Sequence, residues 1–351
     1  ALVGTACMFP YFPALKIRKH AGCPHIHVLW LLMLAGCGRY ADFSLPAPEA
    51  TGPRAPFIWE ARPEPVLSRD AFSDVLNPSV VRFRGTYWNL YSEFDGRAWS
   101  TAAATSPDGI TWTKLGRVLS PQAPEGSYIA ANGSALVAGD ELLYWYEIGY
   151  PLRIALVRSR DGKNWTRQGD PVVPLGPRGS FDERAVADPY VIHTRNGFYM
   201  FYLGQDRARR QSLGIARSAD GVIWEKLRTN PVLESGGPGA FDENGVGEPA
   251  VWTSGGQWWM LYTGRDNKEQ RRLGLARSVD GVRWERVPNF GISGSSTWDS
   301  QVICDPSVEL MPDGSIRVWF GGGEVARPDQ GLNGQIGSGV LLEKPTKHVT
   351  H

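Results

Sequence analysis

Five polar residues recur along the chain, each at the head of an apolar run: Asn77, Asn132, Asp188, Glu248 and Asp305. They stand 55, 56, 60 and 57 residues apart. Carboxylates that converge on one cleft do not share a pKa; one is driven up and keeps its proton while another stays ionised. Such a pair meets the needs of glycosidic bond hydrolysis: an acid for the departing oxygen and a carboxylate for water or for the anomeric carbon. A single Asp-Pro reads more simply as a turn that binds backbone amides. Three carboxylates at the same point of successive units, Asp188, Glu248 and Asp305, with Glu replacing Asp at one of them, point to chemistry.

The openings read LNPSVVRF (76–83), ANGSALVA (131–138), ADPYVIHT (187–194), GEPAVWTS (247–254) and CDPSVELM (304–311). In the units that open LNPSVVRF, ADPYVIHT and GEPAVWTS an apolar run, a Gly-containing turn and an alternating aromatic run make a hairpin. A third strand such as LGIARSAD follows, and Asp-Gly turns the chain into a short fourth strand that begins with Trp. Trp112, Trp165, Trp224 and Trp284 hold this position in four units and read as packing residues. A period of about 57 residues with four strands to the unit marks a propeller. The fold expected is all-β, a five-bladed β-propeller of four-stranded antiparallel blades over residues 57–343. The last unit ends in IGSGVLLE (336–343) without an Asp-Gly-Trp, so PFIWEARP (56–63) is expected to supply its outer strand and close the ring. First strands line the channel of a propeller, so their five openings meet at one end. The second-strand exits, YSEFD (91–95), YEIG (146–149), YLGQD (202–206), YTGRD (262–266) and FGGGE (320–324), form a rim around it. Asn77, Asn132, Glu93 and Arg265 are read as substrate-binding residues, and Glu248, Asp188 and Asp305 as the catalytic set. Trp59, Trp88, Trp145, Trp258 and Trp259 are weaker candidates for stacking on a sugar.

The formal net charge of +1 argues against a nucleic-acid partner. No metal-ligand spacing or phosphate-binding glycine loop stands out, so no metal or cofactor is expected. Lys16, Arg18 and Lys19 precede the apolar run IHVLWLLMLAG (26–36), which is too short to span a membrane and reads as an export signal. The run ends Leu34-Ala35-Gly36-Cys37 and resembles the bacterial lipoprotein signal, which implies lipidation of Cys37, a membrane link through that lipid alone and an exported protein. A monomer is expected. Residues 1–37 are thus the export segment, 38–56 a Pro/Ala-rich tether with few contacts to the propeller, and 344–351 a tail. Cys304 would be left as a lone cysteine, read as a small buried filler.

On Ala187-Asp188-Pro189 and Gly247-Glu248-Pro249, within this repeat architecture, the chain resembles the five-bladed propeller glycosidases of glycoside hydrolase families 43 and 32. The resemblance implies a carbohydrate substrate, furanoside or pentoside in type. It implies Glu248 as general acid and Asp188 as the residue that tunes its pKa and orients substrate. It departs at Leu76-Asn77-Pro78, where those families carry the base or nucleophile Asp. Asp305, Asp74 and Glu93 are the carboxylates that could serve instead. An Asn-Pro opening also resembles the mannoside phosphorylases of family 130, where phosphate attacks; Arg207, Arg209, Arg210, Arg265, Arg271 and Arg272 could then hold an anion. A sugar-binding propeller that has lost its base is the third alternative.

Overall fold

The computed structural model describes residues 40–70 and 72–345. The segment read as an export signal lies outside the described residues. Within them the regular structure is β, apart from one short 3-10 turn at Thr297–Asp299. Two strands precede the repeat, β1 (Tyr40–Ala41) and β2 (Phe57–Ala61). The first antiparallel meander is β3 (Asp74–Phe83), β4 (Thr86–Phe94), β5 (Trp99–Ser106) and β6 (Thr113–Leu119). The second is β7 (Ile129–Ala138), β8 (Glu141–Ile148), β9 (Arg153–Ser159) and β10 (Thr166–Arg167). The third is β11 (Ala185–Thr194), β12 (Gly197–Gln205), β13 (Gln211–Ser218) and β14 (Glu225–Leu227). The fourth is β15 (Gly245–Ser254), β16 (Gln257–Arg265), β17 (Arg271–Ser278) and β18 (Glu285–Arg286). The last has β19 (Val302–Leu310), β20 (Ile316–Gly323) and β21 (Gln335–Glu343). Its outer strand is β2, paired antiparallel from Phe57↔Glu343 to Ala61↔Gly339.

The first strands touch in the order β3, β7, β11, β15, β19, and β19 touches β3. Second-strand tryptophans pack between units. Trp88 covers Gly162, Trp145 donates its indole N–H to the Gly221 carbonyl (2.8 Å), and Trp319 of the last unit donates to the Gly109 carbonyl of the first (2.7 Å). A Cβ at Gly162 would collide with the Trp88 ring, which is why the Asp-Gly turn carries Gly at that point. This settles the stacking candidates: Trp88, Trp145, Trp258 and Trp259 are buried, and Trp59 packs edge-on against Phe320. None of the five lines the channel mouth. Trp165, Trp224 and Trp284 pack in the cores with their indole N–H groups bonded to the carbonyls of Gly162, Gly221 and Gly281.

The stretch expected as a free tether is fastened down from Tyr40 onward. β1 pairs parallel with β14, and Leu45 is buried with its N–H on the Asp280 carbonyl. The carbonyls of Pro46, Glu49, Thr51 and Pro53 accept from the Trp258 indole, the N–H groups of Gly256 and Gly255, and the Ser254 hydroxyl. The apolar side chains Phe43 and Leu45 fill the surface between units three and four, and these donors would otherwise lack protein partners.

Candidate active site

In every unit the first strand is interrupted at its polar residue. The pairing register slips between Leu76/Ser79, Ala131/Ser134, Ala187/Tyr190, Gly247/Ala250 and Cys304/Ser307. Pro follows in four of the five and has no N–H to give the ladder, so the strand bulges. At the bulge Asn77, Asn132, Asp188, Glu248 and Asp305 all have positive φ, from 45° to 52°. Such backbone costs a non-glycine residue about 1–3 kcal/mol and persists only where the surroundings hold it.

A chain of hydrogen bonds holds it here. The Asn77 N–H donates to Asp305 Oδ2 (3.3 Å), the Asp305 N–H to Glu248 Oε2 (3.1 Å), and the Glu248 N–H to Asp188 Oδ2 (3.2 Å). Thus each carboxylate receives the N–H of the following first strand. Where the first-strand residue is Asn, a second-strand residue accepts instead: Glu147 Oε1 takes the Asp188 N–H (2.7 Å) and Ser92 Oγ takes the Asn132 N–H (2.9 Å). Asn132 Nδ2 donates to both Glu147 Oε1 and Asp188 Oδ1 at 2.8 Å.

The ring floors a cavity of about 240 Å³ at the channel mouth. Asn77, Asn132, Asp188, Glu248, Asp305 and Arg265 all line it, as do Glu147, Arg271 and the aromatic wall of Trp99, Tyr128 and Tyr150. Glu147 and Trp99 escaped sequence reasoning. The register holds the signal that finds Glu147: Ser92, Glu147, Leu203, Thr263 and Gly321 oppose equivalent first-strand residues, and Glu147 is the carboxylate among them.

Two sequence candidates do not reach the cavity. Glu93 is one residue beyond Ser92, so the alternation of the strand turns it to the other face, where it is buried and accepts the Tyr91 hydroxyl (3.1 Å). Asp74 is buried and accepts the N–H groups of Gly331, Leu332 and Gly334 at 2.6, 2.9 and 2.8 Å. It clamps a loop. Of the six arginines, Arg265 and Arg271 line the cavity, while Arg207 and Arg210 pair with Glu183 and Asp206 on the exposed surface.

Burial pushes the Asp188 carboxyl up to about 6, and the charge of Glu248 adds to this; hydrogen bonds to its oxygens work the other way. Burial, then the charge of Asp188, holds Glu147 well above the carboxylate range. Burial, then the charge of Glu248, does the same to Asp305. Burial opposes the charge on Arg271, but Cys304, Glu248 and Asp305 beside it outweigh that and keep it a cation. Cys304 Sγ and an oxygen of each of Glu248 and Asp305 lie within 4.8 Å of one another, and Arg271 supplies positive charge to this group. Cys304 is fully buried and donates its thiol to Asp305 Oδ2 at 3.0 Å. The cavity therefore offers buried carboxyls able to give a proton, two guanidinium groups and an aromatic wall.

Several known proteins are similar to this chain in sequence or in structure. A protein of Mycobacterium tuberculosis (strain ATCC 25618 / H37Rv), itself uncharacterized, is 28% identical over 241 residues, which cover 60% of this chain and 75% of that protein. The β-1,2-mannobiose phosphorylase of Listeria innocua has a similar structure, with a TM-score of 0.65 at 13% identity over 82% of this chain and 97% of that one. The family 32 β-fructofuranosidase BmSUC1 of Bombyx mori has a TM-score of 0.58 at 16% identity over 84% of this chain and 66% of that one. At these identities the structural likeness is one of propeller fold. The family model described as the glycosyl hydrolases family 32 N-terminal domain matches residues 79–229 and 157–304, together more than half of the chain. The chain belongs to this family of glycosyl hydrolases, and its enzyme class is that of a glycosidase.

Proposed function

We propose that the protein hydrolyses a glycosidic bond of an oligo- or polysaccharide, furanoside or pentoside in type, at the mouth of a five-bladed propeller. The blade count is supported by the cyclic contact of the first strands and by the bond from Trp319 of the last unit to Gly109 of the first. Glu248 is the general acid that protonates the departing oxygen. Asp188 anchors the sugar and, through the Glu248 N–H, fixes the backbone that carries the acid. Asp305 donates its backbone N–H to Glu248 Oε2 and so helps to hold the acid in place. The observation that carries this reading is the bond sequence from Asp305 N–H to Glu248 and from Glu248 N–H to Asp188, which gathers three carboxyls from successive strands on one cavity wall. The furanoside preference is supported by family membership.

The test is turnover of a panel of 4-nitrophenyl furanosides and pyranosides, with and without phosphate. Glu248→Gln is expected to lower turnover roughly a hundredfold or more on poor leaving groups, within the 10²–10⁴ range of general-acid contributions. Activated aryl glycosides need less protonation and should lose much less. An equal loss on both would remove Glu248 from the acid role.

Phosphorolysis is a second reading. Arg265 and Arg271 are paired residues of β16 and β17, and both line the cavity, where guanidinium groups suit phosphate. Turnover that requires phosphate and releases a sugar 1-phosphate would establish it.

A further inference from the structure

We propose that Tyr150 and the depression beside it on the second unit form an outer subsite for a further sugar of the glycan, so that the enzyme favours a longer chain over a single glycoside. The inference rests on the hydrolytic reading above. Tyr150 lines two hollows at once: the cavity of about 240 Å³ at the mouth and a depression of about 290 Å³ outside it. The cavity is smaller than the roughly 300–1,000 Å³ of pockets that enclose a whole drug-sized ligand. A sugar held at the carboxylates therefore leaves the rest of its chain outside, and Tyr150 is the side chain shared with the neighbouring hollow.

The turns between second and third strands form the rim of the mouth. They read DGRA (95–98), GYPL (149–152), DRARR (206–210), DNKEQ (266–270) and EVARPDQGLNG (324–334) from the first unit to the last. The turn of the second unit alone carries no charge. Ion pairs from Arg210 to Asp206 and from Arg265 to Glu269 brace the third and fourth turns, whereas Tyr150 is 79% exposed. The backbone that presents it is fixed. A Cβ at Gly149 would lie 2.9 Å from the Glu125 carbonyl oxygen, and the φ of Gly149 is 71°, so glycine lets the 122–126 loop pack against this turn.

The exposure of Tyr150 is not isolated. Pro124, Pro151 and Pro171 line the depression beside it, and all three are exposed. Contiguous apolar surface with a polar border marks a binding groove. Glu125 at the border is already paired with Arg167, which leaves Arg153 and Asp170. An aromatic ring and proline rings cover the C–H face of a sugar, while a guanidinium that donates and a carboxylate that accepts meet its hydroxyls. One charge of each sign suits a neutral sugar. Inside the cavity Trp99 and Tyr128 share the wall with Tyr150, so aromatic surface continues from the ring of carboxylates to the depression.

The sugar of the 4-nitrophenyl glycoside that the wild type turns over fastest sets the probes: its disaccharide, trisaccharide and tetrasaccharide. For the wild type kcat/KM should rise from the shortest to the longest. In Tyr150→Ala the ratio of kcat/KM for the tetrasaccharide to that for the disaccharide should fall roughly three- to tenfold, the size of one aromatic contact, and Tyr150→Phe should keep the ratio. Both variants should unfold at the wild-type midpoint, because the ring is exposed. A wild type without the rise, or a Tyr150→Ala loss equal at every length, would overturn the subsite and leave hydrolysis intact. A change in sedimentation with no change in the ratio would give this face to a second copy of the chain and overturn the subsite too. A wild type inert on every glycoside would overturn the hydrolytic reading, and the subsite with it.

Discussion

Aspartate occupies two radii of the repeat, and its chemistry is opposite at the two. On the outer turns Asp108, Asp161, Asp220 and Asp280 each accept two backbone N–H groups from the residues two and three positions on. Those bonds favour the ionised form, and all four carboxyls are held below the usual range. At the channel mouth Asp188 and Asp305 also accept backbone N–H groups, yet both are raised. Burial and a neighbouring carboxylate outweigh the donors there. The difference teaches that an Asp in a tight turn is a structural anion, whereas the same residue converging with its copies becomes a reactive acid.

A third set tests which factor decides. Asp182 is buried more deeply than the mouth residues but bonds Lys226, itself buried, and the Tyr202 hydroxyl. Similar pairs recur at Asp242 with Arg286 and Glu125 with Arg167. Lys226→Met should leave a buried charge without its partner and cost about 3–5 kcal/mol of stability, the largest effect expected. Urea unfolding reads this, and a loss below about 1 kcal/mol would break the comparison.

A smaller effect, and the sharpest contrast, is expected from Asp188→Asn. Activity should fall about a hundredfold on good and poor leaving groups alike, because Asp188 is read as the anchor of the sugar and holds the backbone of Glu248 through its N–H. Its effect on stability has a definite sign. The folded value, about 6, lies above the ordinary 3.8, so the wild type gains stability from this group below the lower value and loses it as pH rises through the higher. The amide has no such loss. The variant should therefore gain on the wild type between pH 4 and pH 6.5, by at most about 3 kcal/mol. Denaturation midpoints across that range check it, and a constant difference would count against a raised Asp188.

The smallest effect belongs to the outer turn. Asp220→Ala should leave the kinetics unchanged and cost about 1 kcal/mol, as the loss of a comparable side-chain cap does. The sign reverses: its lowered carboxyl contributes stability above the ordinary carboxylate value, and that contribution fades as pH falls through the folded value. A drop in kcat/KM for this variant would show that the two radii are not independent.

Particular residues mark how far the sequence could be read. The polar heads of the first strands, the Asp-Gly turns with their Trp and the closing strand are local patterns, and local patterns survive in one dimension. Glu147 was missed because its place depends on register, which becomes visible only when Ser92, Thr263 and Gly321 are aligned against their partners. Glu93 was overvalued because a shift of one residue along a strand exchanges cavity for interior. Asp74 reads in one dimension as a reactive group because its three N–H donors lie more than 250 residues away in the chain. The stretch from Tyr40 to Pro56 looked like a tether because its Pro/Ala composition conceals how well its carbonyls satisfy donors near Ser254 and Trp258.

The period, the turn chemistry, the order of strands and the residues that head them are legible along the chain, because alternation, glycine turns and Asp-Pro breaks act over a few residues. What those residues do depends on how the folded units meet. The left-handed bulges, the N–H to carboxylate chain and the raised carboxyls all require strands some 57 residues apart to meet at one mouth. Desolvation and charge repulsion depend on distance in space, and the chain acquires those distances by folding.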